Sequence, residues 1–185
     1  IVIESKPSDR ALLSQGEQLS IDECCLASKL YMGHVETLLD ACDALFVPSI
    51  DNLGLHKGFC TKFQALPDLV ANTFASHNPR IISCEIDKDD TGISAEEAYM
   101  SLATKFGCTK KKAKSIYQDA LHAQKKHDEE LAHKQATLLK DAEKMPSQER
   151  PLRILIAAHP YVIHDPYIGS PVTTMLEDLN VCTLY

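Results

Sequence analysis

The stretch "ALFVPS" (44–49) decides the fold. It is a short, nearly continuous apolar run closed by Pro48. Such a run is expected of a strand buried on both faces, as in a parallel sheet covered by helices. The segment before it, 24–42, predicts a helix with Asp22 as N-cap, and "QALPDLVANTFA" (64–75) predicts another, with Pro67 tolerated in its first turn. "RIISCEI" (80–86) reads as the next strand. At the front, "IVIE" (1–4) reads as a short buried strand, and a helix runs from a Ser8 cap to Gln15, where Gly16 stops it. Strand, helices, strand, helix, strand predicts an α/β fold built from Rossmann-like parallel-sheet units with right-handed crossovers.

Beyond residue 90 the pattern changes. Ser94 caps a helix to about Phe106, which Gly107 ends, and a long helix runs from about Thr109 to Lys144 without proline or glycine. Its apolar face is thin, so it reads as a strut packed on one side or as a partner-binding helix. "MPSQERP" (145–151) reads as a linker. "LRILIAAHP" (152–160) then predicts a buried strand, "YVIHDPYIG" a loop, "SPVTTMLEDLN" a short helix capped by Ser170, and "VCTLY" a strand. Three segments are expected: a first α/β lobe (1–90), a helical insertion (91–150) and the start of a second α/β lobe (151–185). The chain opens on Ile1 inside an expected strand, which suggests a segment of a longer protein.

The net charge of −7 argues against nucleic acid as a partner, because the lysines of 110–144 are interleaved with acids. No apolar run approaches the roughly 20 residues of a membrane span. Seven scattered cysteines do not make a disulfide framework, which favours a reducing, cytoplasmic setting. Neither nucleotide-binding glycine fingerprint is present.

The adjacent cysteines of "DECCLASK" (22–29) should differ. On a helix beginning at Cys24, that residue joins the core stripe of Tyr31, Val35, Leu38 and Cys42. Cys25 falls on the rim near Lys29, where a helix N-terminus and a lysine favour thiolate. Cys60 lies in a loop after a strand, and ligands of open α/β sheets bind at that end. "AHPYVIHDPY" (158–167) also follows a strand and gathers His159, Tyr161, His164, Asp165 and Tyr167. Each site has a bland alternative: a buried loop cysteine for Cys60, a proline-rich turn for the third. A zinc site from His159, His164 and a carboxylate is a further alternative.

Three ordered motifs resemble the domain of unknown function of acyl-CoA dehydratase activase-related proteins, allied to 2-hydroxyglutaryl-CoA dehydratase components and their activators. Glu23, Cys25, Leu26, Lys29, Gly33 and His34 match the first motif; Cys60, Lys62, Phe63, Leu66, Pro67 and Asp68 the second; His159, Pro160, Tyr161, Asp165 and Pro166 the third. The chain departs from the pattern at Ala27, Ser49, Thr61, Ala65 and Ala158. The resemblance covers almost the whole chain. It implies a 4Fe–4S cluster ligated by Cys25 and Cys60, one-electron redox chemistry, and an acyl-CoA dehydratase or activase partner protein. It further implies that Lys29 tunes the thiolate, that His159 and Tyr161 line the cofactor cleft, and that a third family cysteine lies beyond Tyr185. The competing expectation is a cofactor-free interaction or regulatory module that docks a partner through the 109–144 helix.

Overall fold

The computed structural model describes residues 2–54, 56 and 58–185. The chain is a mixed α/β fold that divides into two compact units, residues 1–6 with 12–121 and residues 7–11 with 122–185. The division falls inside the long helix.

In the first unit the decisive stretch forms β1 (Leu45–Phe46) and β2 (Ser49–Asn52). These pair in parallel with β3 (Ile81–Ile82) and β4 (Glu85–Asp87). Leu45 lies opposite Ile81 and Ser49 opposite Glu85, so the register is the same on both sides of the break. The hydrogen bonds continue across it. The N–H groups of Leu45, Val47 and Ser49 donate to Arg80, Ile82 and Cys84 carbonyls, each at 2.9 Å. Alternation then turns position 48 to the opposite edge, where a proline without an N–H removes no ladder bond. β1–β2 and β3–β4 are thus one parallel ladder interrupted at Pro48.

The core lies on one side of this ladder. Met32 and Val35 from α2 (Leu26–Leu38), Leu45 and Val47 from the strand, and Val70 and Phe74 from α4 (Leu66–Thr73) and its end form one buried cluster. Tyr31, Leu38, Leu39 and Cys42 pack against it half-buried, as the helical spacing predicts.

Gly16 does not stop a helix. α1 (Arg10–Gln18) runs through it, because Gly16 is a contact surface. A Cβ there would sit 1.8 Å from the Lys29 carbonyl oxygen, and one at Gly33 would sit 2.3 Å from that of Leu12. The two glycines let the α1 and α2 backbones touch. The expected front strand is also corrected. Residues 2–4 pair with no strand, and Val2 is 92% exposed; Ile1 lies outside the described residues.

A buried Asn52–Asp87 pair closes the far end of the ladder, where the register shifts at a bulge. The Asn52 side-chain N–H donates to Asp87 Oδ1 at 2.6 Å, and Asp87 also accepts from the Asp90 and Thr91 N–H groups. α5 (Ala95–Lys105) starts with a full capping box between Ser94 and Glu97. Gly107, at φ 81°, follows the helix in the left-handed conformation that glycine adopts without steric cost. α6 (Lys110–Lys144) is unbroken over 35 residues. Ala113 and Ala142 are buried near its ends, while Ile116, Leu121 and Leu138 are exposed.

In the second unit β5 (Arg153–Leu155) and β6 (Cys182–Leu184) pair in parallel around α7 (Pro160–His164) and α8 (Ser170–Asp178). The strand expected over 152–160 is only three residues long and not buried, with Leu155 72% exposed. "PYVIH" is a helix rather than loop, because Pro160 fits the first helical position. Ser170 is the first helical residue of α8, and Gly169 is its cap. Gly169 is required there: a Cβ would lie 2.4 Å from the Ile163 carbonyl oxygen.

Candidate functional site

α2 begins at Leu26, not at Cys24, so both cysteines precede it and Cys25 is the N-cap. The Cys25 carbonyl accepts the first helical bonds, from Ser28 and Lys29 N–H at 3.0 and 3.2 Å. Its side chain makes no cap bond and is exposed. The sulfur faces the Ser28 hydroxyl at 3.3 Å, with Ser28 itself buried. Cys24 is half-buried and borders a cavity of about 450 Å³. The two neighbouring thiols therefore occupy different environments.

Cys60 is also an exposed N-cap, at the start of α3 (Thr61–Gln64). The loop leading to it is tied to β2 where the Phe59 N–H donates to Asp51 O at 2.7 Å, and α3 is tied where the Ser49 hydroxyl donates to Gln64 O at 2.7 Å. This anchoring carries Lys62 to Cys25: its ammonium lies 4.0 Å from the Cys25 sulfur. The segment bearing Cys60 and the start of α2 thus meet in the first unit. Lys29, on the helix face expected to serve Cys25, instead donates to the Asp22 carbonyl at 3.2 Å. That contact closes the turn leading into α2.

The Cys25 thiol titrates below its ordinary value. The Ser28 hydroxyl contributes most and the Ser28 N–H next; burial opposes them, and the Lys62 ammonium and the Ala27 N–H add smaller contributions. Cys84 behaves oppositely, pushed up by burial that Lys105 only partly offsets. The residues able to stabilise a thiolate are gathered at Cys25. Of these, Ser28 was not distinguished by the sequence spacing and Lys62 only as a motif match; the signal for Lys62 was its place in the first turn after Cys60.

His159 and Tyr161 belong to the second unit. His159 caps α7, and its ring stacks on Tyr161 with centroids 6.0 Å apart and planes 13° from parallel. Asp165 fixes the following turn by accepting from Tyr167 and Ile168 N–H at 2.9 and 2.8 Å. Among the described residues, one group of three potential metal ligands converges: Asp51, Asp87 and Asp90. Neither the cysteine pair nor the His159–His164 segment completes such a group. Of the three, Asp87 already accepts from the Asn52 side chain and from the Asp90 and Thr91 N–H groups. No helix among the described residues is long and apolar enough to cross a membrane.

No curated protein and no solved structure is significantly similar to the chain. The three motifs, however, fall on the capped cysteines and the α7 turn just described, and the family model for the CoA enzyme activase uncharacterised domain matches residues 1–185; the chain belongs to that family.

Proposed function

We propose that Cys25 and Cys60 are thiolate ligands of an iron–sulfur cluster through which this activase-related domain serves a dehydratase-type partner protein. The observation that carries the reading is that Lys62, two residues from the exposed cap residue Cys60, brings its ammonium to 4.0 Å from the sulfur of the exposed cap residue Cys25. The donor chemistry suits iron, since thiolates are the usual ligands of such clusters. The donor number does not close within the described residues, because clusters of this type take four cysteines. The remaining ligands are proposed to lie outside residues 1–185, where the resemblance implies a further cysteine, so the longer polypeptide is the protein to reconstitute.

When bound, such a cluster supplies one-electron transfer. The chain's own residues do the rest. Ser28 and Lys62 lower the pKa of the Cys25 thiol and so favour the thiolate that ligates a metal. Lys62 rather than Lys29 is the cation that offsets the negative charge of the thiolates. Anaerobic incubation with iron and sulfide, followed by iron and acid-labile sulfide analysis, tests the reading. Bound iron that depends on both cysteines is expected; iron bound equally without them sinks it.

A further inference from the structure

The cavity beside Cys25 has a composition of its own. Leu19, Ile21, Cys24, Met32, Ala65 and Leu69 give it apolar walls. Its volume of about 450 Å³ lies within the roughly 300–1,000 Å³ of small-molecule sites. Lys62 is the one charged residue on its lining, with Ser20, Ser28, Thr61 and Thr73 adding hydroxyls. No carboxylate of the described residues pairs with the Lys62 ammonium, whose recorded contact is the Cys25 sulfur.

Two other cavities of this unit differ. One of about 840 Å³ beside α2 and β1 is lined by Asp40 and Asp43 and by no lysine or arginine. One of about 490 Å³ beside α5 sets Lys105 against Glu85 and Glu97. Of these three cavities, the one at Cys24 combines apolar walls with a single cation that has no acidic counterpart on its lining.

We propose that this cavity binds an aliphatic monocarboxylate, with the hydrocarbon tail between α2 and α4 and the carboxylate on Lys62. Charge complementarity selects the head group: a carboxylate pairs with the lysine, an ammonium is repelled by it, and an alcohol is indifferent to it. The apolar walls select the tail, because each methylene removed from water tightens binding roughly fourfold until the space is filled. Cys24, which the cluster reading leaves without a role, becomes part of the wall. The site does not depend on the cluster reading, and binding is measured without iron.

Calorimetric titration with butanoate, hexanoate and octanoate tests the proposal, with octylammonium and octanol as head-group controls. Saturable octanoate binding that strengthens with chain length is expected. Lys62→Gln should weaken octanoate by about two- to fivefold, the worth of an exposed ion pair, and leave octanol unchanged. Ala65→Phe, filling the cavity, should abolish both while circular dichroism shows the fold intact. Octanoate should also slow alkylation of Cys24 in the unmodified sequence, a readout that needs no variant. Equal affinity for octylammonium and octanoate, or unchanged Cys24 alkylation at saturating octanoate, overturns the proposal.

Discussion

The Lys62 ammonium lies 4.0 Å from the Cys25 sulfur, across 37 residues of chain. Helical periodicity does not register such a contact. It exists because Phe59 and Ser49 tie the loop and α3 to β2, which in turn lies on the ladder under α2. The Lys62 share of the Cys25 reactivity is therefore a tertiary property, while the larger Ser28 share is local.

Alkylation should report it. Cys25 is expected to react with iodoacetamide at lower pH than Cys84, whose thiol burial pushes up, read by peptide mass spectrometry across a pH series. Because the Ser28 hydroxyl is the largest influence, Ser28→Ala should move the Cys25 midpoint upward more than Lys62→Gln does. Equal midpoints for Cys25 and Cys84 would refute the assigned environment.

The Gly16–Gly33 crossing predicts a sign reversal. In an isolated helix Gly→Ala stabilises by about 1 kcal/mol. Gly33→Ala should instead destabilise by about 1–3 kcal/mol, as overpacking against the Leu12 backbone does. Gly107→Ala meets no atom but must hold a positive φ, and its cost of about 1 kcal/mol is purely conformational. Urea midpoints separate the two cases from any gain.

Asp87 makes stability depend on acid. Burial pushes its carboxyl up, but donors from Asp90, Asn52 and Thr91 more than offset this and hold it below the ordinary value. A depressed folded value means that its contribution is full above the unfolded pKa of about 3.9 and is lost as pH falls through the folded one. Asp87→Asn should lower the urea midpoint at neutral pH and flatten the acid limb below about pH 4. An unchanged acid limb would exclude Asp87 as its source.

Much of the fold is legible because local rules and tertiary demands agree. "ALFVPS" and "RIISCEI" pair as parallel strands, Ser94 caps its helix, and Gly107 ends the same turn that residue pattern assigns it. The misreadings arise where tertiary contact overrides local chemistry. Gly16 has the residue type of a helix stop and is used for backbone approach. "IVIE" has strand composition, but residues 2–4 have no strand beside them to pair with. At the site, Cys25 and Cys60 are visible as motif cysteines, whereas the choice between Lys29 and Lys62 is not. Helix wheels place Lys29 near Cys25 only if the helix starts at Cys24; the start at Leu26 frees Lys29 to reach Asp22.

The most direct measurement of the central claim compares iron content after anaerobic reconstitution across four forms of a longer polypeptide that carries this chain and the remaining ligands: the unmodified sequence and its Cys24→Ser, Cys25→Ser and Cys60→Ser variants. The account predicts iron and sulfide on the unmodified sequence and on Cys24→Ser, with at least a several-fold loss in each of the other two. Iron retained in full by Cys25→Ser and Cys60→Ser, or lost as readily from Cys24→Ser, would contradict it.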